Sequence, residues 1–163
     1  MRTVTGIGKL VLAATVLLFG GGLSAQQDTF VLVSTTTARE IEGSNEALGV
    51  SGSWAAPDST VVAILITAKV SLSAGAKVST QAFRLTYQAG SQTESRRCVA
   101  LDVRAAAKDK VRLAFAGTQN VEWTAGTTGT YFVTLAFINV PRDTREATLL
   151  RDGAAVAKVQ LPM

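Results

Sequence analysis

Hydrophobic and polar positions alternate with a period of two along most of this chain, in short runs bounded by turn residues. Residues 29–34 read T-F-V-L-V-S, and the strand period puts Phe30 and Leu32 on one face of a first strand. Residues 40–46 are polar and predict a loop, and 48–54 predict a short strand broken by Gly49 and Gly52. The strongest strand covers 60–70. Its stretch Val61-Val62-Ala63-Ile64-Leu65-Ile66 is continuously apolar, as expected where both faces of a strand are covered.

Two strands follow at 82–88 and 96–104, joined by a hairpin turn at Ala89-Gly90-Ser91-Gln92. In the first of them Phe83, Leu85 and Tyr87 share one face while Arg84 and Thr86 share the other. Ala105-Ala106-Ala107-Lys108 has helix propensity, but one turn is too short to repay nucleation. Residues 110–116 alternate again, with Val111, Leu113 and Phe115 opposite Lys110, Arg112 and Ala114. A second strong strand at 130–139 ends near Pro141. Residues 147–151 and 154–161 flank Asp152-Gly153, a strong hairpin signal because glycine accepts positive φ without steric cost. Strands at this spacing, about 7–9 of them with almost no helix, predict an antiparallel β-sandwich.

The first 25 residues follow another pattern. Arg2 and Lys9 are positive, residues 10–19 are apolar, Gly20-Gly21-Gly22 breaks the run, and Leu23-Ser24-Ala25 supplies small residues before Gln26. This is the order of a cleaved secretory signal. The alternative, a retained anchor, needs a span of about 20 apolar residues, which this run does not reach. Gln26 stands where a lipoprotein would carry cysteine, so no lipid anchor is expected. The expected organisation is therefore a signal peptide at 1–25 and one domain at 26–163, periplasmic or secreted, with no membrane span after cleavage.

Charge and cysteine usage narrow the picture. The formal net charge is +4, and Arg2 and Lys9 would leave with the signal, while every acidic residue lies after Ala25. So small an excess argues against nucleic acid as a partner. Cys98 is the only cysteine, which rules out an internal disulfide and leaves the fold to its hydrophobic core. It reads as a small buried hydrophobe; the alternative is an exposed thiol made reactive by Arg96 and Arg97.

The pieces, in order, resemble the telokin-like immunoglobulin-type domains of exported bacterial proteins. A long apolar strand at 61–70 precedes Phe83-Arg84-Leu85-Thr86-Tyr87. A Gly-rich approach, Ala125-Gly126-Thr127-Thr128-Gly129, leads to 133–137 and Val140-Pro141, and a closing hairpin spans 149–161. The likeness covers about 28–161, although the paired cysteines of antibody-type domains and a tyrosine corner are missing. It implies an immunoglobulin-like β-sandwich serving as a binding or accessory module, with no shared active site.

The chain contains no histidine, which removes Ser-His and Cys-His nucleophiles and the commonest zinc and copper ligand. A lone cysteine excludes Cys-x-x-Cys zinc or redox sites, and no phosphate-binding or calcium-loop motif occurs. No cofactor is expected. Carboxylates at Asp28, Glu40, Glu42 and Asp58 are the remaining route to acid–base chemistry or calcium, and so to a hydrolase. The better candidates for function are binding residues. Arg104, Lys108, Lys110 and Arg112 fall within one short stretch that would attract an anionic polymer or acidic partner. Trp54, beside Gly52-Ser53, offers an indole for stacking on a sugar, and Trp123 offers a weaker one; core packing is the ordinary use of both. The expectation is a non-enzymatic exported binding or accessory module of the bacterial envelope, whose partner is an envelope protein or anionic polymer. The alternative is a glycan-binding protein.

Overall fold

The structure is a computed structural model that describes residues 29–45, 49–117 and 119–162. The expected signal segment 1–25, its cleavage site and Asp28 lie outside the described residues. Within them the chain is all-β, with thirteen strands, one 3-10 turn (Thr80–Ala82) and no α-helix. No helix among the described residues is long and apolar enough to cross a membrane.

Five strands form one antiparallel sheet in the order β1 (Phe30–Ala38), β4 (Val61–Leu72), β11 (Gly129–Pro141), β8 (Ala100–Arg104) and β9 (Ala114–Phe115). Four form a second, ordered β13 (Ala154–Gln160), β12 (Glu146–Arg151), β6 (Phe83–Ala89) and β7 (Gln92–Arg97). The hairpin of β2 (Glu40–Asn45) and β3 (Val50–Ala55) is separate, as is the pair β5 (Lys77–Ser79) and β10 (Glu122–Thr124). The larger count than expected comes from short strands such as β5, β9 and β10, which carry too few residues to show a period.

The main core lies between the two large sheets, as in a β-sandwich. Val62, Ile64, Ile66, Ala68, Val70 and Leu72 of β4 point into it, with Val133, Leu135 and Phe137 of β11 beside them. Leu85, Tyr87 and Leu149 come from the facing sheet. In the first half of β4 the alternate residues are covered as well, whereas Lys69 and Ser71 further along are exposed. Ala63 is fully buried in a second apolar cluster with Ile41, Ala100, Leu113 and Ala136. The continuous apolar run is thus a strand roofed on both sides, as the sequence predicts.

Three elements differ from expectation. The polar stretch at 40–46 forms strand β2, not a loop, because β3 supplies its ladder and Ile41 its one buried apolar side chain. Gly43 and Gly52 face each other across that hairpin, and a Cβ on either would collide with the Leu113–Phe115 stretch. Glycine is therefore what lets the hairpin lie down on the sheet. The strand expected at 110–116 is reduced to Ala114–Phe115; Leu113 is 4% exposed but Val111 is 41% exposed.

The run expected as a single strand at 96–104 is divided. Its first part is β7 of the four-stranded sheet and its last part is β8 of the five-stranded sheet. The chain changes sheets at Cys98 and Val99. The Cys98 N–H donates to Phe83 of one sheet at 3.2 Å, and the Val99 N–H to Ala136 of the other at 2.9 Å. Both backbone donors remain satisfied at the crossing, as burial requires.

Cys98 is 3% exposed and its Sγ donates to the Ala100 carbonyl at 3.1 Å. Burial pushes the thiol up to about 12 from 9.0, against the opposing hydrogen bonds of Ala136 and Ala100. A thiol-specific reagent is expected to label Cys98 only as the protein unfolds; rapid labelling of the native protein would contradict this. The raised folded value has a linked consequence. The thiol's contribution to stability is whole below pH 9.0 and is lost as pH rises towards about 12. Cys98→Ala should remove that part of the alkaline loss, as checked by urea unfolding at several pH values.

Candidate functional site

The site is built on the outer face of β8. Residues two apart on a strand share a face, so Ala100, Asp102 and Arg104 all point away from the main core. Ala100 lies under the β2–β3 hairpin, in the second cluster. Asp102 and Arg104 form a buried ion pair, Nη1 to Oδ2 at 3.0 Å, with side chains 5% and 7% exposed. Arg104 Nε finds no partner. Burial raises the Asp102 carboxyl above its ordinary value, opposed by the Arg112 backbone N–H and by the charges of Arg104 and Arg112.

Residues 105–112 leave the sheet and come back far enough for the Arg112 N–H to reach the Asp102 carboxylate. The loop has its own turn, with the Asp109 N–H donating to the Ala106 carbonyl at 3.2 Å. Its far end is fixed when Leu113 enters the second cluster. Lys108, Lys110 and Arg112 stay exposed on it, with one exposed carboxylate, Asp109, among them.

The structure thus sorts the sequence candidates. Lys108, Lys110 and Arg112 occupy one exposed loop. Arg104 does not join them as a surface cation: it is buried against Asp102 beneath the loop. The Asp-x-Arg spacing within a strand was the signal for this, since it puts opposite charges on one face. Trp54 lies on strand β3, not in a loop, and is half-buried against the second cluster that also holds Leu113. It therefore belongs to the same side of the molecule as the basic loop. Trp123 meets Tyr131 edge-on, with centroids 5.0 Å apart.

Arg96 and Arg97 do not extend the loop's charge. Arg96 binds Glu94 at 2.7 Å and stacks over the Tyr87 ring at 5.5 Å. Arg97 lies on β7 and donates to the Gly117 carbonyl at 3.2 Å. Burial raises the Tyr87 hydroxyl pKa, with Arg96 opposing and Glu94 adding to the effect. Of the carboxylates weighed for chemistry, Glu40 and Glu42 are exposed on β2, and Asp58 accepts from the Thr60 N–H and hydroxyl, which lower its pKa. Two shallow recesses occur, of about 420 and 540 Å³, and neither is lined by these three residues. Among the described residues no group of three or more His, Cys, Asp or Glu is placed to hold a metal ion.

No protein-family model, curated protein or solved structure matches this chain.

Removing one partner of a buried ion pair strands the other charge. Asp102→Ala is expected to cost about 3–5 kcal/mol in urea unfolding. The double change Asp102→Leu with Arg104→Met should recover most of that loss, because no buried charge remains. Lys108→Ala, at the exposed loop, should stay within about 0.5 kcal/mol of the parent. Equal losses for Asp102→Ala and Lys108→Ala would show that the ion pair does not anchor the loop.

Proposed function

We propose that the chain is an exported, non-enzymatic binding module of the bacterial cell envelope, built as an immunoglobulin-like β-sandwich of the telokin-like type. Its contact surface is the basic loop 105–112, and its partner is an anionic component of the envelope, a protein or a polymer. The observation that carries this reading is the way the loop is held. Three exposed cations ride on a segment whose two ends are fixed by buried groups, Arg104 at one and Leu113 at the other.

A fixed loop loses little conformational entropy on binding, so more of its interaction energy appears as affinity. Its charges also speed encounter with an anionic partner in a salt-dependent way. Trp54 supports a second reading, a glycan ligand. Its half-buried indole lies on the same side as the loop and has an exposed portion for a sugar ring to stack on. Export rests on the charge, apolar run and small residues of 1–25.

Two measurements test the proposal. Protein recovered from the producing cells should begin at Gln26 and appear in the periplasmic or extracellular fraction; an intact N-terminus on cytoplasmic protein would remove export. Immobilised protein should retain an anionic component from envelope extract at low salt and release it at moderate salt. Lys110→Glu with Arg112→Glu should lower that retention at least about tenfold without changing the unfolding midpoint. Unchanged retention would overturn the loop as the contact surface. A loss on Trp54→Ala alone would favour the glycan reading.

A further inference from the structure

The opposite side of the sandwich, the outer face of the four-stranded sheet, carries a second positive surface. Its strands bury Phe83, Leu85, Tyr87, Ala147 and Leu149, so the residues between them point outwards. Arg84 of β6 and Arg97 of β7 are directly paired across this face, both exposed. Side chains in such a pair start about 4.5–5.5 Å apart, and like charges there repel. Among the described residues no carboxylate bridges them. Arg97 spends one donor on the Gly117 carbonyl, which leaves most of its guanidinium free. Two strands across, Lys158 stands exposed beside Thr148. Glu146, the carboxylate on this side of β12, lies at the far end and accepts from Gln160 at 2.9 Å.

The register gives the surface a spacing. Arg84 and Thr86 are two residues apart on β6, and Thr86, Thr148 and Lys158 follow one another across three strands. Strand rise and strand separation then put the Arg84 and Lys158 backbones about 12 Å apart. Ser95, Thr86 and Thr148 form a row of hydroxyls that leads to Lys158, and the Arg97–Arg84 pair stands in the adjacent row with half-buried Leu150 beyond Arg84; the Thr86 hydroxyl donates to the Thr148 carbonyl at 3.3 Å.

We propose that this face binds an acidic polysaccharide, with the Arg84–Arg97 pair clamping one carboxylate or sulfate group, Lys158 meeting another, and the hydroxyl row bonding the sugars between them. Charge complementarity selects an anion, since two opposed guanidiniums are relieved only by negative charge between them. The hydroxyl row matches sugar hydroxyls. The face lacks the aromatic platforms that single-stranded nucleic acid stacks on. A peptide strand would more readily add to a sheet edge than lie on a pleated face. This surface is separate from the loop 105–112, and neither reading requires the other.

Equilibrium binding of the intact protein to alginate tests this, with dextran, poly-L-glutamate and oligo-dT as comparison polymers. Alginate should bind in a salt-sensitive manner and more tightly than the other three. Arg84→Ser with Arg97→Ser should weaken it at least about tenfold, and Lys158→Ser by a smaller factor. The double variant should unfold no earlier than the parent at low salt, because a repulsion has been removed. Lys69→Ser, an exposed cation of β4 in the other sheet, should bind alginate like the parent. Alginate binding no tighter than dextran, or a double variant equal to the parent, would overturn the proposal. So would tighter binding of poly-L-glutamate or oligo-dT, or a loss for Lys69→Ser equal to that of the double variant, which would make the binding one of net charge alone.

Discussion

The structure depends on one requirement: the half of the β4–β11 pair in which Ile66, Leu65 and Ile64 meet Leu135, Ala136 and Phe137 must be kept from water on both faces. One face is satisfied by the second sheet, as in any sandwich. The other carries Ala63, Leu65 and Ala136, and it has no second sheet to cover it. The β2–β3 hairpin and the 105–113 stretch supply that roof. Small side chains on the sheet and glycines on the hairpin let the backbones approach closely, at Gly43 and Gly52.

The Asp102–Arg104 pair follows from the same geometry. At this edge the roof is a loop, and loops have backbone groups that need partners. A carboxylate below the loop accepts the Arg112 N–H, and the neighbouring guanidinium offsets its charge. Buried pairs of this kind contribute little net stability, because desolvation offsets the attraction, but they fix position. Here the position fixed is that of a loop bearing Lys108, Lys110 and Arg112. Stability and display are carried by adjacent residues of one strand: Leu101 and Val103 face the main core, Asp102 and Arg104 the loop.

Much of this was legible in the sequence, and the limits have physical causes. The long strands, the Asp152–Gly153 hairpin and the inward faces of β4 and β6 follow from period and turn chemistry, which are local. The apolar run 61–66 announced that both faces would be covered, though not by what. Elements determined by their neighbours were not legible. β2 is polar and forms because β3 pairs with it. Residues 110–113 alternate like a strand yet lie outside the sheet, where the Arg112 N–H bonds the Asp102 carboxylate in place of a ladder partner. The Cys98–Val99 crossing breaks the alternation, with Cys98 and Leu101 in the main core and Val99 and Ala100 against the second cluster, but residues 98–101 are all apolar and conceal the break. Within the candidate site, Lys108, Lys110 and Arg112 were legible as a cluster of cations from their closeness in sequence, although 110–116 read as a strand and the three stand on a loop. The burial of Arg104 depended on Asp102, two residues away, and on a loop whose path only tertiary structure sets.

The two sides of the molecule then differ for a reason that bears on function. Under the roof of the five-stranded sheet the outward residues are small, apolar or internally paired; Lys69 and Ser71 lie beyond it and are exposed. On the four-stranded side nothing covers the sheet among the described residues, so folding leaves the outward identities nearly free. Cross-strand packing would favour β-branched, aromatic or oppositely charged pairs there. The threonines satisfy that preference, whereas Arg84 opposite Arg97 goes against it. A surface pairing that folding does not require, and that cross-strand electrostatics disfavours, is accounted for by what it meets. An anion seated between the two guanidiniums turns the repulsion into attraction, and the exposed face becomes the place where binding, not folding, determines the sequence.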